Sequence, residues 1–252
     1  MQAVLYVCHG SRMKEACEQA RFFVNECMKQ VDAPIQEVCF LELAAPSIAQ
    51  GFRACIEKGA SRIAVVPVLL LAAAHAKQDI PAELGKLQKQ YPHIHVTYGE
   101  PFGVHESIIP ILLERIEEKR IGDNAMVLLV GRGSSDPDVK RDMQQIADLL
   151  QESYPFQTVE VSFLAAAHPT FEEGLHRALS YGYKQIFVVP YLLFTGILMR
   201  GMEKTIRKLD RKELILCPYL GYHSNLQRVL AQRADEAIRS DGYVSHFSTH
   251  CK

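Results

Sequence analysis

One pattern is written twice in this chain, in a single register, and that duplication limits the folds open to it more than any other feature. The segment AVLYVCHGSR at 3–12 aligns with MVLLVGRGSS at 126–135. EVCFLELAAPS at 37–47 aligns with EVSFLAAAHPT at 160–170, and IAVVPVLLLAAAH at 63–75 with IFVVPYLLFTGIL at 186–198. An offset of 123 residues serves all three. The copies share Gly10 and Gly133, Pro46 and Pro169, Gly59 and Gly182, and Pro67 and Pro190. Glycine and proline govern the backbone, so what is shared is scaffold. Two tandem domains are expected, 1–121 and 122–252, each of ordinary domain size. The polar stretch 117–124 is the natural joint between them.

Each copy alternates short β-branched runs with longer amphipathic stretches. Strands are expected at 3–8, 36–42, 62–70 and 94–99, with helices at about 12–29, 46–58, 77–90 and 105–119. The second copy repeats the order, with strands at about 126–131, 157–163, 185–193 and 213–218 and helices at about 135–152, 169–181, 200–209 and 225–240. The run Ile63 to Leu71 is apolar at alternate and intervening positions alike, which fits a parallel strand buried on both faces. The expected fold class is therefore α/β, with a four-stranded, mostly parallel, doubly wound sheet in each half and a ligand cleft between the halves. After Leu198 the register slips by about five residues, a change that a loop or helical turn absorbs.

The copies differ in their chemistry. His9, Glu42 and His75 of the first copy face Arg132, Ala165 and Leu198 of the second. Each of the three polar residues falls at or just past the carboxyl end of an expected strand, the rim where open parallel sheets gather ligands. Two imidazoles and one carboxylate make a ligand set for a first-row divalent ion and leave coordination positions open. Taken singly, each residue has a blander reading: a helix-entry histidine, a strand-end carboxylate, a hydrogen-bonded core histidine. Taken together, a scaffold kept in both copies and three polar positions kept in one point to a single metal site. A helix starting near residue 12 would also keep His9 neutral through its positive end.

Composition removes other classes. Net charge is −1, so the clustered basic excess of a nucleic-acid groove is absent. The opening MQAVLYVCHG is too briefly apolar for a secretory signal or a membrane span, and a cytoplasmic, soluble chain is expected. The seven cysteines are scattered without a CxxC pair, which argues against a disulfide framework or a cluster site. Neither GxxxxGK[ST] nor GxGxxG after a strand occurs, so no nucleotide is called for. A histidine phosphatase would need Arg before His9, and that residue is Cys8.

The segments LYVCHGSR, FLELAAPS, VVPVLLLAAAHAKQDIP and LLVGRGSSDPDVKRD resemble the class II tetrapyrrole chelatases, in particular the two-domain bacillus type that acts on sirohydrochlorin. The resemblance covers nearly the whole chain. It implies insertion of Fe²⁺ into sirohydrochlorin to give siroheme without ATP, often with Co²⁺ also accepted and with no permanently bound cofactor; the donor set by itself is expected to take Co²⁺ and Ni²⁺ at least as well as Fe²⁺. It puts His9, Glu42 and His75 on the family's metal-binding and catalytic positions. Sirohydrochlorin is a polycarboxylate, and Arg132, Ser134 and Ser135, with Ser11 and Arg12 as counterparts, are expected to contact it. Against that stands an ordinary reading, in which Ser135 caps its helix and Arg132 pairs with Asp136 or Asp138. Lys77 and Arg200 either add charge or are solvated helix ends, and YLLFTGILM at 191–199 is a wall of the macrocycle slot or domain core. The tail residues His246, His250 and Cys251 read as a frayed end. Two other functions stay open: a cobaltochelatase of the cobalamin pathway, and a metal or tetrapyrrole binder without turnover. Two fused copies do the work of a homodimer, so a monomer is expected.

Overall fold

The computed structural model describes residues 1–119, 121–122 and 124–240. The elements are β1 (Gln2–Cys8), α1 (Lys14–Met28), β2 (Ile35–Phe40), α2 (Ile48–Glu57), β3 (Arg62–Val68), a π-helical turn (His75–Asp79), α3 (Ile80–Gln90) and β4 (His95–Tyr98). A 3-10 turn (Glu106–Ile108) leads into α4 (Ile109–Glu117), followed by β5 (Ala125–Gly131), α5 (Pro137–Ser153), β6 (Thr158–Phe163) and α6 (Phe171–Ser180). The chain continues through β7 (Gln185–Tyr191), α7 (Ile197–Leu209), β8 (Leu214–Leu216) and α8 (Ser224–Arg239). The tail histidines and Cys251 lie outside the described residues.

The strands form two four-stranded sheets, ordered β2-β1-β3-β4 and β6-β5-β7-β8. Every strand pair is parallel. This is the doubly wound α/β fold, once per repeat. The central strands explain themselves: residues 3–8 of β1 and all seven of β5 are buried, as their unbroken apolar sequences require. Helix α1 buries Ala16, Ala20, Phe23, Val24 and Cys27, one stripe at helical spacing. Each buried Val, Leu or Ile contributes about 1.5–3 kcal/mol. Helices α2 and α6 start with the same device. Ser47 and Thr170 each accept from the backbone N–H three residues on, while Gln50 and Glu173 return a bond to the cap residue.

The compact units do not coincide with the repeats. One comprises Met1–Gly103 and the chain from Leu226 onward; the other is Val104–Asn225. Within the first, α8 lies against β4: Thr97 Oγ1 donates to the Ala237 carbonyl at 2.7 Å, and Arg233 donates to the carbonyls of Pro101 and Phe102. Within the second, α4 is tied by Glu114 to His223 at 2.8 Å and by Arg115 to the Leu220 carbonyl. Each sheet is thus completed by the last helix of the other repeat. The position 121/122 falls inside the second unit.

Candidate metal centre

In the first sheet the strand order reverses between β1 and β3, the switch point where ligands of open parallel sheets collect. His9 follows β1 directly, Glu42 stands two residues beyond β2, and His75 lies seven residues past β3. One ligand atom from each lies within 4.8 Å of the others. The rings of His9 and His75 meet edge to face, with centroids 4.7 Å apart. His9 Nδ1 is 3.0 Å from the Gly10 carbonyl and 3.7 Å from Glu42 Oε1. The histidine side chains are about a quarter exposed, at 26% and 27%, and Glu42 is 44% exposed. The group is therefore open to an incoming ion.

Backbone contacts fix this convergence. Leu41 N–H donates to the Cys8 carbonyl at 2.8 Å and Glu42 N–H to the His9 carbonyl at 3.1 Å, extending the β1–β2 ladder past the strands. Gly10 has φ 94° and lies so close that a Cβ there would fall 1.8 Å from the Glu42 carbonyl oxygen. Only glycine permits both features. The second repeat keeps the same frame: Ala165 N–H donates to Arg132, and a Cβ on Gly133 would fall 1.8 Å from the Ala165 oxygen. The frame is common to both repeats, and the His–Glu–His group belongs to one.

His75 is held differently. It opens the π-helical turn, whose closing bond runs from Ile80 N–H to the His75 carbonyl, and Tyr98 Oη donates to the next carbonyl, Ala76. Single π turns recur at functional sites. Here the turn sets Asp79 beside His75, with Oδ2 2.7 Å from Nδ1. A carboxylate on one ring nitrogen fixes the tautomer and leaves Nε2 for a metal. Asp79 is the residue that sequence reasoning missed. Its signal was the spacing of four from His75.

The other expected site residues have these positions. Ser11 Oγ accepts from Met13 N–H and Ser134 Oγ from Asp136 N–H, the same local turn in each repeat. Arg12, Arg132 and Ser135 are exposed. Two expectations are corrected. Helix α1 begins at Lys14, five residues after His9 and two later than expected. The cap of α5 is Asp136, which accepts from Asp138 N–H, and not Ser135; Asp138 in turn engages Arg141. No helix among the described residues is long and apolar enough to cross a membrane.

An ion bound at metal–ligand distances of 2.0–2.2 Å draws its tetrahedral ligands to about 3.4 Å from one another. The three groups stand close enough for modest side-chain rotations to achieve this.

The CbiX family model matches residues 3–119 and again 126–237. A sirohydrochlorin ferrochelatase of Priestia megaterium is 56% identical over 96% of this chain and 92% of its own. A sirohydrochlorin cobaltochelatase of the same organism is 37% identical, over 96% of this chain and 81% of its own. Among solved structures, SirB from Bacillus subtilis with Fe³⁺ superposes with a TM-score of 0.86 at 43% identity, covering 94% of this chain and 96% of that one. A sirohydrochlorin chelatase SirB in complex with cobalt, from Bacillus subtilis subspecies spizizenii, gives a TM-score of 0.83 at 42% identity, covering 94% and 95%.

Proposed function

The chain belongs to the CbiX family, and we infer from that membership and from its three convergent ligands that it is a metal chelatase inserting Fe²⁺ into sirohydrochlorin to form siroheme. The observation that carries the chemistry is the meeting of His9, Glu42 and His75 from three strand ends, within 4.8 Å.

Metal insertion needs an ion held by ligands that can give it up, and acceptors for two pyrrole N–H protons. Two neutral imidazoles and one carboxylate hold a divalent ion with a small net charge, and their partial exposure leaves a face from which the ion can pass to the pyrrole nitrogens. As the ion leaves, His9 and His75 regain free lone pairs and serve as proton acceptors, so that two protons leave the macrocycle for each ion that enters. Glu42 offsets the cation's charge beforehand. Asp79 holds the His75 ring in register. The ion is a substrate and is consumed at each turnover.

A cobalt reading has support from the 37% identical cobaltochelatase, and the ligand set binds Co²⁺ and Ni²⁺ at least as well as Fe²⁺. We read Fe²⁺ as the physiological ion and the other two as accepted in its place. We propose further that Arg12 and Arg132, exposed residues in the loops after β1 and β5, take substrate carboxylates. Ser11, Ser134 and Ser135 add hydroxyl donors, since the turn bonds of Ser11 and Ser134 use those hydroxyls only as acceptors. The six thiols among the described residues are free, which fits a reducing cytoplasm. The duplicated chain fits a monomer that binds no nucleic acid and no membrane.

The test is anaerobic mixing of protein, Fe²⁺ and sirohydrochlorin, followed through the tetrapyrrole absorption. Wild type is expected to turn over, and His9→Ala and His75→Ala to lose roughly 10²-fold in rate. Either variant working at the wild-type rate would remove that residue from the mechanism.

A further inference from the structure

Leu43 occupies a backbone position that suits glycine better. Its φ is 60°, in the left-handed region that L side chains rarely adopt. The residue is 52% exposed, so packing returns little for the strain. The corresponding residue in the second repeat, Ala166, has φ 52°. The turn is therefore part of the common frame, and what the first repeat adds is a large apolar side chain facing solvent. That side chain follows the ligand Glu42 directly.

Its neighbours share its character. Glu42 is the only charged side chain between Leu41 and Pro46, and none occurs between Leu69 and Ala76, the segment that delivers His75. Residues 69–74 are three leucines and three alanines, all half-buried. The polar triad thus has apolar borders, and among them Leu43 is the large side chain left most open. A conjugated macrocycle is apolar over its faces and carries its carboxylates at the periphery, so a site that takes it needs an apolar support beside the metal ligands.

We propose that Leu43 packs against the face of the tetrapyrrole and holds it over the His9–Glu42–His75 group. This inference rests on the function given above. It makes Leu43 a substrate-contact residue without a part in metal binding.

Leu43→Ala, which reproduces the residue of the second repeat, and Leu43→Met, which keeps an apolar side chain of similar size, separate the possibilities. Metal-free sirohydrochlorin is titrated against each protein by absorbance, Co²⁺ alone by calorimetry, and folding is checked by the thermal midpoint. Leu43→Ala should weaken sirohydrochlorin binding about tenfold, the loss expected from one buried leucine side chain. Its Co²⁺ affinity should stay within twofold of wild type, and Leu43→Met should bind sirohydrochlorin nearly as well as wild type. Unchanged sirohydrochlorin affinity in Leu43→Ala overturns the proposal. So does a parallel loss of Co²⁺ affinity, which would mean that Leu43 only holds Glu42 in place. Wild-type protein that binds no sirohydrochlorin removes the functional reading and this inference together, whereas wild-type binding with an indifferent Leu43→Ala removes Leu43 alone.

Discussion

Asp79 is half exposed, and its pairing with His75 adds little to the stability of the fold, since exposed ion pairs contribute about 0–1 kcal/mol. Its effect should fall on the ligand. Without the carboxylate the ring is free to rotate or change tautomer, and loss of such an orienting partner typically costs 10–100-fold in metal affinity. Asp79→Ala is therefore expected to lower Co²⁺ affinity by about that factor in a calorimetric titration while moving the thermal midpoint little. Asp79→Glu should recover part of the loss, and an unchanged affinity in Asp79→Ala would leave the carboxylate no orienting role. The convergence of His9, Glu42 and His75 was legible because the duplication supplied a control: Arg132, Ala165 and Leu198 show what the same positions hold in the repeat that lacks the group. Asp79 had no such signature. Its pairing with His75 is made in a π turn, and a sequence read at 3.6 residues per turn begins the helix two residues late and leaves that pairing out of view.

The turns that carry His9 and Glu42 are set by backbone, and this makes the elements separable from the chemistry mounted on them. Both repeats place a left-handed glycine, Gly10 or Gly133, against the carbonyl at the next strand's end, and both close a serine turn after it. The strands were legible because parallel burial leaves an unbroken apolar run. The helix starts were less so. At the entry to α1 no side chain caps the helix, and at α5 three consecutive residues, Ser134, Ser135 and Asp136, all have side chains able to cap. If the frame is common, the ligands should be transferable. Arg132→His, Ala165→Glu and Leu198→His together are expected to give the second repeat a site of its own, read as a second equivalent of Co²⁺. That site should be about 10–100-fold weaker than the first, because the residue four past Leu198 is Met202, which cannot orient the new histidine. A triple variant that folds and takes up one equivalent only would show that the shared frame is not sufficient.

Over the whole molecule, the repeat was readable and the grouping of helices was not. An apolar helix face announces that it is covered without saying by which sheet, so α4 and α8 read equally well as the last helix of their own repeats. The buried thiols give the molecule a second property that only folding reveals. Burial pushes Cys8, Cys27, Cys55 and Cys217 from 9.0 up to about 12 and raises Cys39 in the same direction. In the unfolded chain these thiols release their protons near pH 9; in the folded chain they keep them until about pH 12. Between those limits the native state holds more protons, so stability is fully present below pH 9 and falls as pH rises. Each thiol steepens that fall by up to one proton's worth of linkage. Tyr6 and Tyr191, also raised by burial, act in the same sense above pH 10. With several buried thiols acting in one direction, stability falls more steeply above pH 9 than a single proton would make it fall. Urea unfolding followed by circular dichroism at pH 8, 9 and 10 should show a free energy level up to pH 9 and steeply declining beyond it. Cys55→Ala should be somewhat less stable at pH 8, from the small cavity it leaves, yet decline less steeply above pH 9. A decline no steeper than that of a single proton would mean that the thiols reach water in the native state.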